Sequence, residues 1–318
     1  MDKKKFFKAG LIATIAAGLV YGIEKIVFHV NTAGKTLEVP DAHTYRWQFG
    51  EIFYTVRGSG KPVLLIHDQA EGASGYEWTD FEAELREGYK VYTIDLPGFG
   101  RSEKGKQVYT GYMYVHAVRS FIKDVIGEKA DIICDGSSLS TTILASVGNE
   151  DYIGRMIFIH PPKAGAESRI PVSVQRLMMK LICLPLIGTL IYQIMESKIM
   201  VKNRLASQSA HAGSGITRAD VRAYSEAAHL GGPDGRFAYA GRVGQMTAMN
   251  VLHALKDEPG RYLFVGGSED SSFEKTAGDY RAYLPSAQIR TIEGAGSMPH
   301  LDLPVETEKV CRSWLEEN

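Results

Sequence analysis

The sequence predicts an α/β protein: a mostly parallel central sheet carrying an inserted helical cap, preceded by an N-terminal helix that anchors it to a membrane. Three observations predict this. From about Tyr45, short apolar runs typical of strands alternate with amphipathic segments typical of helices. Between Pro162 and about Leu255 this rhythm stops and apolar residues recur at helical spacing. The first thirty residues are lysine-rich at the start and then strongly apolar.

The N-terminal segment, residues 1–30, reads MDKKKFFKAGLIATIAAGLVYGIEKIVFHV. Counted from Phe6 to Phe28, with flanking lysines reaching the interface, it is long enough for the roughly 20 residues that a bilayer core requires. We interpret it as an uncleaved single-pass anchor; a cleaved signal peptide and a soluble amphipathic helix are the alternatives. The lysine cluster predicts an N-terminus held inside and a globular part outside the cytoplasm.

Residues 41–161 form the first part of the predicted core. The segments YRWQFG and EIFYTVRG alternate in polarity and meet at Gly50, which predicts an antiparallel hairpin. The runs PVLLIH, KVYTIDLPG, KADIICD and YIGRMIFIHPP are apolar enough for parallel strands covered on both faces. TDFEAELREG and YMYVHAVRSFIKDVIG, which lie between them, have the spacing of amphipathic helices.

Residues 162–255 form the predicted cap. VQRLMMKLICLPLIGTLIYQIMESKIM and TRADVRAYSEAAHL both have helical spacing. Residues 256–318 return to the core, where the strands RYLFVGG and AQIRTIEG flank the helix FEKTAGDYRAYL and VETEKVCRSWLEE ends the chain. Insertion of helices after one strand predicts a covered pocket at the carboxyl edge of the sheet.

Several motifs in this order resemble those of the α/β-hydrolase family. VLLIHD matches the strand and loop that normally end in His-Gly, and YTIDLPGFGRSEK matches the Asp-x-Pro-Gly-x-Gly-x-Ser segment. GSSLS occupies the nucleophile turn, GGSEDSSF the acid loop and IEGAGSMPHLDLP the histidine loop. The resemblance runs from about Trp47 to the C-terminus and implies a serine hydrolase with a helical cap.

The resemblance also implies a set of site residues. In the family a serine attacks, a histidine takes its proton, a carboxylate orients the histidine, and two backbone amides stabilise the oxyanion. By position, Ser138 is the nucleophile and Asp270 the acid, and the amides of Gln69 and Leu139 form the oxyanion hole. A helix N-cap is the competing interpretation of Ser138.

Three positions depart from the family pattern. Ser297 stands where the base is expected, so His300 becomes the candidate base. Asp68 replaces the glycine after His67, beside the expected oxyanion hole, and Ser140 replaces the second glycine of the turn. The other histidines that could act as a relocated base are His67, His160 and His229.

The composition of the chain argues against several classes of function. A formal net charge of −1 gives no reason to expect nucleic-acid binding, and three scattered cysteines indicate neither a disulfide framework nor a zinc cluster. No motif suggests a metal, nucleotide or flavin, so we expect no cofactor. The predicted function is a membrane-anchored serine hydrolase of a small ester, amide or lipid-like acyl substrate, with a degenerate triad. The alternative is a non-catalytic relative that binds a small apolar ligand or a protein partner. An aspartate nucleophile is not expected, because residue 138 is serine.

Overall fold

The computed structural model describes residues 3–166, 171–209 and 216–317. Within these residues, eight strands form a single sheet. The strands are β1 (His43–Trp47), β2 (Gly50–Arg57), β3 (Lys61–Ile66), β4 (Tyr89–Ile94), β5 (Ala130–Asp135), β6 (Ile153–Ile159), β7 (Tyr262–Gly267) and β8 (Gln288–Ile292). Their order across the sheet is β1-β2-β4-β3-β5-β6-β7-β8.

The sheet is mostly parallel, as predicted. Only β2 runs against its neighbours: it pairs antiparallel with β1 and with β4, whereas the pairs from β4 through β8 are parallel. The predicted hairpin at Gly50 is confirmed by the pairing of Trp47 with Gly50. Parallel strands reach the same edge with their carboxyl ends, so the loops after β3, β5, β6, β7 and β8 are neighbours.

Helices cover both faces of this sheet. One apolar cluster includes Phe121, Ile143 and Phe273, and the cluster on the opposite face includes Phe81 and Trp314. Burial of these apolar side chains between sheet and helices is the main stabilising term of such a layered fold. The helices of this core are α2 (Thr79–Leu85), α3 (Gly111–Phe121), α4 (Ser138–Ser146), α10 (Phe273–Arg281), α11 (Pro299–Asp302) and α12 (Pro304–Glu316).

The cap follows β6, and the regular elements in the part that the structure describes are helices. Its helices are α5 (Ser173–Cys183), α6 (Ile187–Met195), α7 (Lys198–Gln208), α8 (Arg218–His229) and α9 (Arg236–Val243). They lie within the predicted cap, residues 162–255. Thr217 caps α8 by accepting hydrogen bonds from the amides of Ala219 and Asp220, which fixes where this helix begins.

The N-terminal helix α1 (Lys3–Thr32) packs with its second half against the cap. Gln193 Nε2 donates a hydrogen bond to the Glu24 carbonyl oxygen at 3.2 Å. Near the end of α1, the Phe28 ring meets the His229 ring edge-on at 5.4 Å. The sequence did not predict this attachment, because a helix that docks on a cap and one that spans a bilayer share an apolar composition.

Among the described residues, no single helix is both long and apolar enough to cross a bilayer. By length and composition alone, the bent pair α5 and α6, with an angle of 106° between them, meets the requirement. The length and composition of α1 therefore do not support the predicted anchor at residues 1–30, and Met1 and Asp2 lie outside the described residues.

Candidate active site

Five residues stand in a row at the carboxyl edge of the sheet, each in the loop after its strand. Asp68 follows β3, Gly136 follows β5, His160 follows β6, Asp270 follows β7 and Ser297 follows β8. Since these five strands are consecutive neighbours and adjacent strands are about 4.8 Å apart, the row brings the loops into one site.

The turn between β5 and α4 is built around Gly136. Its φ of +55° is left-handed, a conformation that glycine adopts without a steric penalty, whereas Ser137 has a φ of −68°. In a strand-to-helix turn of this family, the strained residue presents its side chain at the top of the sheet. Gly136 has that position here.

Ser138 does not stand at the top of the turn, which corrects the predicted geometry. It is the first residue of α4, it is fully buried, and its Oγ donates a 2.6 Å hydrogen bond to the His67 carbonyl oxygen. The physical reason is the register of the turn: β5 continues to Asp135, so the sharp reversal falls on Gly136 and α4 has begun by Ser138. The hydroxyl therefore ties α4 to the end of β3.

The Asp68 side chain fills the space beside Gly136. Its Oδ1 accepts hydrogen bonds from the Gln69 amide at 2.8 Å, the Ser137 amide at 2.8 Å and the Ser137 hydroxyl at 2.6 Å. A Cβ added to Gly136 would overlap the Asp68 carboxyl group. The carboxylate thus occupies the place that a side chain at the top of the turn would take.

The two amides that converge on Asp68 Oδ1 have the arrangement of an oxyanion hole, in which preorganised donors face one anionic oxygen. Gln69 supplies one of them, as predicted. The second comes from Ser137 rather than Leu139, whose amide donates to the Gly136 carbonyl oxygen at 3.2 Å inside the turn. Moving the turn residue from Ser138 to Gly136 moves the following amide from Leu139 to Ser137.

Asp270 and Ser297 lie together, as the sequence predicted. Ser297 Oγ donates a 3.2 Å hydrogen bond to Asp270 Oδ2, and Ser272 donates to Oδ1 from its amide at 2.9 Å and its hydroxyl at 2.8 Å. His160 Nε2 lies 3.8 Å from Asp270 Oδ2. Partial burial acts to raise the pKa of Asp270, but the bonds from Ser272 and the nearby His160 and Ser297 outweigh it, so this pKa is lowered.

His300, the candidate base, is fully buried and stacks on Trp78 with ring centroids 4.3 Å apart. Within the described part of the chain, neither of its ring nitrogens has a hydrogen-bond partner. Burial, aided by His160, lowers the pKa of His300 to about 3. His300 does not contact Asp270 as a base would, because its ring is packed against Trp78 beneath the site.

Two of the alternative histidines have structural roles. His67 accepts the Leu96 N–H at Nε2 and donates from Nδ1 to the Asp68 carbonyl oxygen at 2.6 Å, and burial lowers its pKa. His229 is bonded through Nδ1 to the Ser225 carbonyl oxygen and packs against α1. His160 therefore differs from the other two alternatives by its contact with Asp270, a carboxylate of the row.

The structure also brings together Glu77, Asp135 and His300, whose ligand atoms lie within 4.8 Å of one another. Burial, followed by the charge of Asp68, raises the pKa of Glu77 well above its usual range; for Asp135 burial acts first, and then Glu77 and Asp68. Two carboxyl groups and an imidazole are a donor set that could hold a divalent metal such as zinc. The sequence did not reveal this cluster, because its members come from three distant segments.

A narrow cavity separates the cap from the Gln69 end of the row. Glu71 in its wall is paired with Arg242 from α9. Lys104 donates a 2.5 Å hydrogen bond to the Gly100 carbonyl oxygen, and burial lowers the pKa of this lysine to about 7. Tyr192 and Tyr239 from the cap also line the cavity, so a bound molecule would meet both apolar and polar groups.

The chain is similar to enzymes of known type over part of their length. It is 26% identical over 147 residues to a 2-hydroxy-6-oxo-6-phenylhexa-2,4-dienoate hydrolase of Comamonas testosteroni, covering 44% of this chain and 50% of that protein. It is 28% identical over 125 residues to a soluble epoxide hydrolase of a Corynebacterium species (strain C12), covering 38% and 43%. The chain thus matches about half the length of these curated relatives.

Likeness of fold extends further than likeness of sequence. The crystal structure of a membrane phospholipase A, described as a bacterial virulence factor, superposes with a TM-score of 0.67 at 18% identity, covering 99% of this chain and 98% of that one. At this identity the superposition speaks for the fold alone. The model of the Alpha/beta hydrolase family matches residues 63–310, from β3 to the last helix of the core. The chain belongs to the alpha/beta hydrolase family.

Proposed function

We propose that this chain is a hydrolase of a small molecule bound between the cap and the sheet, and that His160 and Asp270 together act as its base. The observation that carries the proposal is the 3.8 Å separation of His160 Nε2 and Asp270 Oδ2 at the carboxyl edge. The His160 side chain is 33% exposed, so a substrate or water molecule can reach it. Catalytic hydrogen bonds are often long before substrate binds, and this distance fits that pattern.

The proposed base lies on the opposite side of Asp270 from the position that the base has in the family. The family motif puts the imidazole at residue 297, in the loop after β8, whereas His160 follows β6, and Asp270 follows β7 between them. A carboxylate can orient an imidazole from either side, because each of its oxygens can accept more than one hydrogen bond, and Asp270 Oδ2 lies near both His160 Nε2 and Ser297 Oγ. His160 also has a left-handed φ of +44°, which is uncommon outside glycine and typical of functional positions.

The proposed substrate is a small molecule that carries an ester, amide, lipid-like acyl group or other electrophilic carbon. Both named relatives are hydrolases of small molecules, a dienoate and an epoxide. The cavity offers Arg242 as a cationic group, the Lys104 amine as a polar group and Tyr239 as an aromatic wall. A ligand with one polar end and one apolar end suits such a lining.

The test is hydrolysis of short p-nitrophenyl esters and of terminal epoxides by the wild type, His160→Ala and Asp270→Asn. We expect each substitution to lower kcat/KM by about 10²–10⁴-fold, the usual contribution of a positioned base. His253→Ala, which removes an exposed histidine outside the site, is the matched control. Turnover that is unchanged in both site variants would overturn the proposal.

A second candidate is a ligand-binding protein without catalysis. It is favoured by one observation: both amides of the oxyanion hole already bind Asp68 Oδ1, so an acyl substrate finds no free donors there. Absence of turnover with every probe, combined with ligand-dependent thermal stabilisation that Arg242→Ala removes, would select this candidate.

We also propose that the chain is held at the cell membrane by its N-terminal helix, with the globular part outside the cytoplasm. The lysine-rich start supports this orientation. Leu19, Ile23 and Ile26 of α1 are exposed, and so are Leu190 and Ile194 of the cap helix α6, which contacts α1. The full-length chain should sediment with membranes and resist a high-salt wash; recovery of the intact chain in the supernatant would refute this proposal.

A further inference from the structure

We propose that Asp68 is the nucleophile of this site, and that it attacks an electrophilic saturated carbon, such as that of a strained cyclic ether, rather than an acyl carbon. The inference rests on the proposed function, because it needs the His160–Asp270 pair for its second step. It assigns a catalytic role to the residue that replaces the loop glycine after His67.

The Asp68 carboxylate is held in a fixed position by hydrogen bonds. Asp68 Oδ1 receives three hydrogen bonds, and among the described residues the bonds given to this carboxylate all end on Oδ1. Oδ2 is therefore left with its lone pairs available. Fixing one oxygen with three donors holds the other in a defined direction, which is what positioning a nucleophile requires.

The Asp68 side chain and Gly136 fit together at the turn. A side chain on Gly136 would overlap the Asp68 carboxyl group, so only a glycine at the turn leaves room for it. The point at the top of the turn, where the family carries its nucleophile, is thus reached from the neighbouring β3 loop. The Asp68 carboxylate, with Gly136 at the turn, thus takes the place of the serine that the family carries there.

The hydrogen bonds of the Gln69 and Ser137 amides favour a substrate with an electrophilic saturated carbon over an acyl substrate. Attack on an ester builds negative charge on the substrate's carbonyl oxygen, which needs the amides of Gln69 and Ser137. Asp68 Oδ1 already holds both amides, so that charge would have no donors. Attack on a saturated carbon creates no oxyanion at this place. The bond from Asp68 Oδ2 to carbon forms as the ring carbon–oxygen bond breaks, and the released alkoxide takes a proton from solvent.

In the second step, which hydrolyses the ester bond on Asp68, the two amides of the oxyanion hole stabilise negative charge on Asp68 itself. His160 takes a proton from a water molecule that adds to Asp68 Cγ, and the negative charge develops on Oδ1, where the Gln69 and Ser137 amides already point. Collapse breaks the bond between Cγ and the substrate oxygen, which receives the proton from His160. Asp68 ionises again and returns to solvent the proton taken up in the first step, so the net reaction is epoxide plus water to diol.

This sequence of bonds leaves a label on the protein. In H₂¹⁸O, the water oxygen enters Asp68, and the diol of the first turnover carries an oxygen that came from the carboxylate. We expect mass spectrometry of the full-length wild type, after a single turnover of styrene oxide, to find one ¹⁸O in the peptide containing Asp68. His160→Ala should accumulate an adduct on Asp68 with the mass of the probe.

Substitutions give an independent readout. Asp68→Asn should lower epoxide turnover by about 10³-fold or more, the scale seen when a catalytic nucleophile is lost. Asp279→Asn, at an exposed position on α10, is the matched control for amidation. If Asp68→Asn fails to fold, the isotope experiment on the wild type still decides.

The outcomes separate this inference from the proposed function. Turnover that depends on His160 and Asp270 but puts all of the ¹⁸O into the product, or an adduct found on Ser138, overturns Asp68 and leaves the hydrolase proposal standing. No turnover and no adduct with any probe overturns both. Label in Asp68 together with loss of turnover in Asp68→Asn supports both.

Discussion

The two ends of the active-site row have departed from the family pattern in opposite ways. At the acid end, Asp270 remains where its motif predicts, and the nearby imidazole belongs to a different strand loop. At the nucleophile end, the turn remains but has no side chain, and a carboxylate from the next loop occupies its space. The comparison shows that the carboxyl edge of the sheet keeps the same positions for a base and for a nucleophile. The loop that supplies the side chain at each position can differ from the loop that supplies it in the family.

Restoring the family arrangement gives the largest expected effect. The triple variant Asp68→Gly, Gly136→Ser and Ser297→His would empty the oxyanion hole, place a hydroxyl at the turn and put an imidazole beside Asp270. We expect its rate of p-nitrophenyl acetate hydrolysis to exceed that of the wild type by about 10²–10³-fold.

The single variant Ser297→His tests whether the nucleophile end really lacks a serine that a base could activate. With Gly136 at the turn, we expect this single variant to gain little esterase activity, since the base would have no serine to activate. A gain as large as that of the triple variant would show that Ser138 or Ser137 acts as a nucleophile after all.

A double-mutant cycle measures the coupling at the nucleophile end. Gly136→Ala should lower the free energy of unfolding by about 2–4 kcal/mol, because its left-handed φ costs about 1–2 kcal/mol and its Cβ overlaps Asp68. In an Asp68→Gly background only the cost of the φ should remain, which urea unfolding can measure. Gly148→Ala is the matched control: its φ is +70°, a Cβ there would meet nothing within 4 Å, and its cost should be the same in both backgrounds.

The pH dependence of stability tests the cavity next to the nucleophile end. Burial lowers the pKa of Lys104 to about 7 from 10.5, with Asp95 acting in the opposite direction. Between these pH values the unfolded chain binds the extra proton, so this lysine makes the free energy of unfolding rise with pH. We expect Lys104→Met to flatten that rise between about pH 7 and pH 10 in urea unfolding. An identical slope in both proteins would contradict the buried, deprotonated lysine.

The smallest expected effect concerns the acid end. Ser272→Ala removes the hydrogen bond from the hydroxyl to Asp270 Oδ1 and keeps the bond from the backbone amide, so it should raise the pKa of Asp270 and the carboxylate should be lost at a higher pH on acidification. Carbon-13 NMR titration of the carboxyl groups can follow this change. Ser286→Ala is the control, because Ser286 donates the same pair of bonds to Asp257 at an exposed site and should leave Asp270 unaffected.

The order of strands and helices could be predicted from the sequence because its signals are local. Alternating polarity before and after Gly50 marks the hairpin, and continuous apolar runs mark the parallel strands. Asp270 beside Ser297 could also be predicted, since each lies at a fixed place in a recognisable loop. These inferences require only neighbouring residues and the parallel direction of the strands.

The rest of the site depends on register and packing. In GSSLS, the residue that takes the left-handed conformation is decided by where β5 ends, and the Gly136 amide bonded to the Ile159 carbonyl oxygen sets that end. The sequence predicted Ser138 at the turn; glycine's tolerance of positive φ is the signal that could have indicated Gly136 instead. The burial of His300 against Trp78 had no signal in the sequence, because the two residues are distant along the chain.

The docking of α1 has a practical consequence for anyone who shortens this chain. Helix α8 holds α1 on one side, through Ser225 and Asn31, and on its other side Tyr224 donates a hydrogen bond to Glu77. Glu77 in turn accepts the backbone amide of Asp68. Removing α1 to obtain an easily handled protein would therefore take away a support of α8, and the kinetics of the shortened chain would describe a loosened Asp68 loop. Measurements of this site belong on the full-length protein.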